Sequence, residues 1–371
     1  MRTASITYHA AHNYGAMLQA YALQRTILSL GAENEIINLR TKVQRSHYPG
    51  VDENLFVTLP HFLGWLLYGG PFSRLHRKYR LFESFLKDDL VLTKEYDDPE
   101  QLSEDEIKAD LYIAGSDQIW NTSQTDFNDA YFLPFVRTKR KVSYAVSMGL
   151  KPNENVSEDY YDRIKSYLSG FEAISVRDEA SRNLAAKLTG REILQHPDPT
   201  LLLDRDTWDR LSGDRPLVKG RYVLVYYPST LRELDELALK VGRLKGMKVV
   251  ITNKTDNLDA FFHMKKYLGC GPWEFLNLVK YASVVVTASF HATLFSLLFH
   301  RPFYVLDRPD ARIETLLEGA GLIDRRVSVQ TVGERISDVD RLDFASSDLH
   351  LGEMRQSGID YLKNILSHGI G

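Results

Sequence analysis

Short apolar runs bounded by turn residues alternate along most of the chain with longer segments of helical periodicity. Arg2 to Tyr8 predicts a strand, Ala16 to Leu30 a helix closed by Gly31, and Glu35 to Leu39 a second strand, a βαβ opening. Residues 41–106 mix polar and apolar positions at helical spacing and predict an insertion. The strand pattern resumes at Leu111 to Ala114 and Lys141 to Val146. A helix over Tyr160 to Leu168, a strand over Ala173 to Val176 and a helix over Glu179 to Leu188 follow. Charges, glycine and proline between Leu203 and Lys219 mark a boundary. The same grammar then restarts: strands at Tyr222 to Tyr227 and Lys248 to Thr252, helices at Leu231 to Leu244 and Pro272 to Tyr281. The β-branched run Val284, Val285, Val286 predicts a strand buried on both faces, with an all-round apolar helix, Ala292 to Phe299, after it. Pro302 separates that helix from a further strand, Phe303 to Leu306. This pattern predicts an α/β chain of two Rossmann-like domains, 1–204 and 205–371, whose ligand loops face across a cleft.

Length and composition agree with two ordinary domains. At 371 residues the chain exceeds one core, and 44% apolar with 26% charged residues excludes disordered and fibrous classes. A formal net charge of −3 with scattered basic residues argues against nucleic acid as partner. The one cysteine, Cys270, excludes an internal disulfide and a thiolate zinc site. The start MRTASITYHA lacks a signal-peptide pattern, which points to a cytoplasmic protein. Leu55 to Phe72 is the most apolar segment, but Pro60, Gly64, Gly69, Gly70 and Pro71 interrupt it. With the basic Arg74, Arg77, Lys78 and Arg80 beside it, the segment suits either a packed helical excursion or contact with the inner face of a membrane.

Polar clusters fall where strands end. His12-Asn13-Tyr14-Gly15 precedes a helix whose first N–H groups suit an anion. Gly115-Ser116-Asp117-Gln118-Ile119-Trp120-Asn121 reads either as a sugar-binding or proton-transfer loop, or as a helix cap with Trp120 in the core. Arg177 is either an anion-binding fork or half of a surface pair with Asp178 or Glu179. Asp198, between Pro197 and Pro199, suits a rigid connection. Ser289 and His291 lie at the seam between strand and helix, with Arg308 and Arg312 downstream; the plain alternative for His291 is a core histidine bonded to a carbonyl. Walker, GxGxxG, HExxH and GxSxG motifs are absent.

Taken in order, NYGAMLQAYALQ, IAGSDQIWN, YAVSMG, ISVRDEAS, DPTLLLD, ASFHATLFSLLF and ARIETLLEGAGL resemble the polysaccharide pyruvyl transferase family from about Asn13 to Arg326. The resemblance implies a fold similar to the GT-B glycosyltransferases. It also implies transfer of a pyruvyl group from phosphoenolpyruvate to a sugar, forming a ketal, with no metal and no other cofactor. The family usually shows glycine after the SFH histidine; here Ala292 stands there. On this reading His291 and Asp117 are the acid/base candidates. Arg177, Ser289, Arg308 and Arg312 bind the donor, on the C-terminal side, and Asn13, Tyr14, Ser116, Gln118, Trp120 and Asn121 bind the acceptor sugar, lipid-linked or not. A nucleotide-sugar glycosyltransferase and a non-catalytic component of a polysaccharide assembly complex are the alternatives. The first would be stabilised by a nucleotide sugar and the second by neither donor.

Overall fold

The computed structural model describes residues 1–47, 74, 76–149, 158–253 and 255–367, so the segment from Leu55 to Phe72 lies outside the described residues. Two compact units emerge. The first gathers the described parts of Met1–Gly50, Glu83–Leu203 and Glu353–Gly371, and the second those of Val51–Phe82 and Asp204–Gly352.

In the first unit, β1 (Arg2–Ile6), β2 (Glu33–Leu39), β3 (Leu92–Tyr96), β4 (Leu111–Ala114) and β5 (Arg140–Ser143) form a parallel sheet in the order β3-β2-β1-β4-β5. Single bridges from Val142 to Ala173 and from Val146 to Val176 carry the sheet on to the short pair β6 (Ser175–Val176) and β7 (Leu194–Gln195). Helix α1 (Tyr14–Ser29) crosses from β1 to β2 and is buried along most of its length. Helix α2 (Glu179–Thr189) starts at Asp178, whose carboxylate accepts from the Ser181 N–H, and ends at Gly190 with φ 65°. Residues 41–106 differ from the purely helical insertion expected of them. They contain β3, whose LTKEY sequence buries only Tyr96 and sits at the sheet's edge beside β2.

The second unit holds β8 (Tyr222–Tyr226), β9 (Lys248–Ile251), β10 (Met264–Lys266), β11 (Val284–Thr287), β12 (Phe303–Leu306) and β13 (Arg326–Val327) in a parallel sheet ordered β10-β9-β8-β11-β12-β13. β8, β11 and β12 are buried at every position, as their apolar runs predict. Helices α3 (Arg232–Lys245), α4 (Pro272–Lys280), α5 (Phe290–Leu298) and α6 (Ala311–Gly319) connect the strands. The chain closes with α7 (Ala345–Ser367). Its later part belongs to the first unit, where the Tyr361 hydroxyl donates to the Ser143 carbonyl at 2.8 Å and Arg355 Nε to the Leu201 carbonyl at 3.1 Å.

Candidate active site

Each sheet reverses its strand order once, between β1 and β4 in the first unit and between β8 and β11 in the second. Loops leaving the carboxyl ends of those strands splay apart, which makes the switch point the ligand-binding position of an open α/β sheet. Asp117 follows β4, and His291 follows β11.

At the first switch point the backbones are packed tightly. A Cβ on Gly115 would lie 3.1 Å from Thr7 Cβ and 3.2 Å from the Ile6 carbonyl. One on Gly149, where φ is 64°, would run into the Asn121 amide. Between these glycines Asp117 takes φ 77°, an uncommon value for a residue with a side chain, and bridges to Val146. Its carboxylate accepts from the Gln118 N–H at 2.8 Å and lies 3.9 Å from Arg177 Nη2. Arg177 is buried, and its main ion pair is with Asp198, at 2.7 Å. Neither surface partner expected from sequence is used: Asp178 caps α2 and Glu179 pairs with Arg182. Asp198, expected to stiffen a connection rather than to take part in catalysis, also accepts from the Thr200 N–H at 3.0 Å and hydroxyl at 2.7 Å.

Of the acceptor-binding candidates, Trp120, Ser116, Tyr14 and Asn121 are buried, while Asn13 and Gln118 are half-buried. Trp120 is fully buried, stacked on Phe132 at 5.0 Å, with its indole N–H donating to the Tyr131 carbonyl at 3.1 Å. No face of its ring is left for a sugar. Ser116 is fully buried and donates to the Ala145 carbonyl at 2.8 Å, and Tyr14 is buried in the first turn of α1. Asn13 caps α1, accepting from the Gly15 and Ala16 N–H groups at 2.9 and 3.4 Å. Asn121 folds its own loop, bonding Ser123 and Gln118, while Gln118 is half-buried and also accepts from Gln124.

A cluster that sequence reasoning missed stands beside β1 and β2. Glu83, on the helix over residues 76–89, receives both Arg40 Nη atoms at 3.0 and 2.8 Å and lies 2.9 Å from His12 Nε2. Burial pushes the Glu83 carboxyl up, but the bonds and charges of His12 and Arg40 outweigh it and hold the group down at about 2. Residues 12, 40 and 83 carry no shared local pattern, so only folding discloses the cluster.

At the second switch point Thr287 donates to the Tyr226 carbonyl at 2.7 Å and accepts from the Ser289 N–H at 3.0 Å, fixing the turn into α5. Ser289 occupies the N-cap position without a side-chain cap bond. His291 is half-buried in the first turn, edge-on to Phe290 with ring centroids 5.4 Å apart, and Ala292 is fully buried behind it. Arg312, at the start of α6, is held by Asp310 at 2.8 and 3.1 Å and lies 5.9 Å from the Phe290 ring. Burial raises the Asp310 carboxyl, yet Arg312 and the helix N–H groups hold it below its ordinary value. Arg308 is exposed, lies 5.6 Å from the Tyr227 ring centroid and, among the described residues, pairs with no carboxylate. Thus the second unit brings Ser289, His291, Arg308 and Arg312 to the carboxyl end of one sheet, while Arg177 belongs to the first unit.

Two parallel sheets of this connectivity define an α/β protein of the GT-B-like kind. Solved structures agree. UDP-GlcNAc 2-epimerase from Neisseria meningitidis bound to UDP-GlcNAc superposes with a TM-score of 0.58 at 10% identity, covering 99% of this chain and 100% of that one. The UDP-GlcNAc 2-epimerase from Methanocaldococcus jannaschii gives 0.55 at 12% identity, with 99% and 100% covered. At such identities the likeness concerns the fold alone. The chain belongs to the polysaccharide pyruvyl transferase family, whose model matches residues 13–310. Among curated proteins none matches the sequence. No helix among the described residues is long and apolar enough to cross a membrane.

Proposed function

We propose that this protein transfers the pyruvyl group of phosphoenolpyruvate to two hydroxyls of a sugar in a cell-surface polysaccharide or its precursor. The observation that carries this reading, beside family membership, is the gathering of Ser289, His291, Arg308 and Arg312 at the second switch point. Phosphoenolpyruvate carries a phosphate and a carboxylate, so it needs two positively polarised subsites. The arginines and the opening turn of α5 suit them.

In the reaction a proton adds to the methylene carbon while a sugar oxygen bonds to C2. A second sugar oxygen then displaces phosphate from C2, giving the ketal and inorganic phosphate. Of the two hydroxyl protons released, one balances the new methyl group and the other leaves on phosphate or a base. In this proposal His291 serves as acid/base on the donor side in the second unit. Asp117 serves the acceptor side in the first, with Gln118 and Asn13 near it in sequence or sheet position. The donor is a cytoplasmic metabolite, which favours a cytoplasmic site of action.

The test is turnover and binding with phosphoenolpyruvate. A ligand at about 100 times its Kd stabilises by about 2.7 kcal/mol, visible as a melting shift. Phosphoenolpyruvate should produce that shift, Arg312→Ala should lose it, and His291→Ala should melt normally yet release no phosphate. Stabilisation by nucleotide sugars alone would replace this reading with a glycosyltransferase.

A further inference from the structure

Resting on the pyruvyl-transfer reading, we propose that Tyr227 is a positioning residue that holds Arg308 over the donor end of β11. β8 and β12 are the two neighbours of β11, so the residues that follow them stand roughly 10 Å apart, two strand spacings. Tyr227 directly follows β8, and Arg308 comes two residues after β12. Their contact at 5.6 Å therefore reaches across the carboxyl end of β11, where Thr287 and Ser289 lead into His291.

Both partners are anchored from behind. Arg326 pairs with Asp307 at 2.8 Å and Glu314 at 2.6 Å and donates to the Arg308 carbonyl at 3.3 Å. Pro309 and the helix-capping Asp310 fix the next two positions. On the other side the Tyr227 ring packs against the unit's core cluster, and its carbonyl accepts from the Asn253 amide. The loop is tied down while the guanidinium, exposed and without a carboxylate partner among the described residues, keeps its charge for a ligand. An arginine resting on an aromatic face retains its in-plane N–H donors for an anion. Restricting its rotamers beforehand also lowers the entropy lost when the anion binds. Arg312 differs, because Asp310 already engages its fork.

The experiment is a double-mutant cycle read by calorimetric Kd for phosphoenolpyruvate in the full chain. Binding to the wild type comes first, and its absence would remove the functional reading itself. Given binding, Arg308→Gln should weaken it by about 10- to 100-fold, as for loss of a charge-assisted bond. Tyr227→Leu should weaken it by about 2- to 5-fold, the size of an exposed cation–π contact. Tyr227→Phe keeps the ring and should match the wild type. In the Arg308→Gln background Tyr227→Leu should have no further effect. If the leucine variant fails to fold, Tyr227→Met serves as the ringless variant. Equal losses from the ringless variant in both backgrounds, or none from Arg308→Gln, would overturn the assignment while leaving pyruvyl transfer standing.

Discussion

Acidification should destabilise the first unit through His196. Its ring is almost wholly buried, stacked on Tyr361 at 4.5 Å, with Nδ1 2.8 Å from the Ser175 hydroxyl. Burial lowers its pKa from 6.5 to about 4. The unfolded chain therefore binds the proton more readily than the folded one, and stability falls as pH drops below about 6.5, levelling off below about 4. At about 1.4 kcal/mol per unit the full loss is about 3 kcal/mol, of which about 2 kcal/mol develops between pH 7 and pH 5. Hydrogen exchange of amides at residues 140–146 and 173–177, corrected for intrinsic rates, reads the opening free energy of β5 and β6 directly. Wild type should lose about 2 kcal/mol more than His196→Gln between those two pH values. Parallel pH profiles in the two proteins would refute the argument, since they would mean that the ring accepts a proton without unfolding.

Glu83→Gln should cost about 2 kcal/mol near neutral pH, a figure discounted for the partial exposure of the side chain. Because the folded pKa of about 2 lies below the ordinary 4.5, that stability is present above about 4.5 and is lost as pH falls through about 2. Melting curves of both proteins should converge over that window, and a constant gap would reject the charge account. Trp120→Ala should cost about 3–5 kcal/mol in urea unfolding, with Trp120→Phe retaining the acceptor KM. A raised KM in a stable phenylalanine variant would restore a sugar-binding role. Asp198→Asn removes the carboxylate from the buried Arg177 pair and should destabilise by about 3 kcal/mol; a melting point equal to wild type would show that the pair contributes nothing.

Much of the fold is legible in the residue pattern. Strands buried on both faces, such as Val284–Thr287 and Phe303–Leu306, announce themselves as unbroken apolar runs, and α1 and α2 by their closing glycine or period. Edge strands do not. LTKEY in β3 and MKK in β10 bury few side chains, so no apolar period marks them, and β13 is only two residues long. Helix α7 mixes polar and apolar residues because its parts belong to different units, which blurs any single face.

The sequence by itself determined the α/β class, the order of motifs that marks the family, and the placing of His291 and Asp117 at strand ends, because each of these is a local pattern read along the chain. Tertiary structure decided what those patterns could not: that Trp120 and Ser116 are core residues, that Arg177 is paired with Asp198, and that Glu83 gathers Arg40 and His12. Whether a polar or aromatic side chain faces ligand or protein depends on which distant residue meets it. Partners 21 and 71 positions apart, like Arg177 with Asp198 and His12 with Glu83, become neighbours only once parallel strands and their crossover helices are in place.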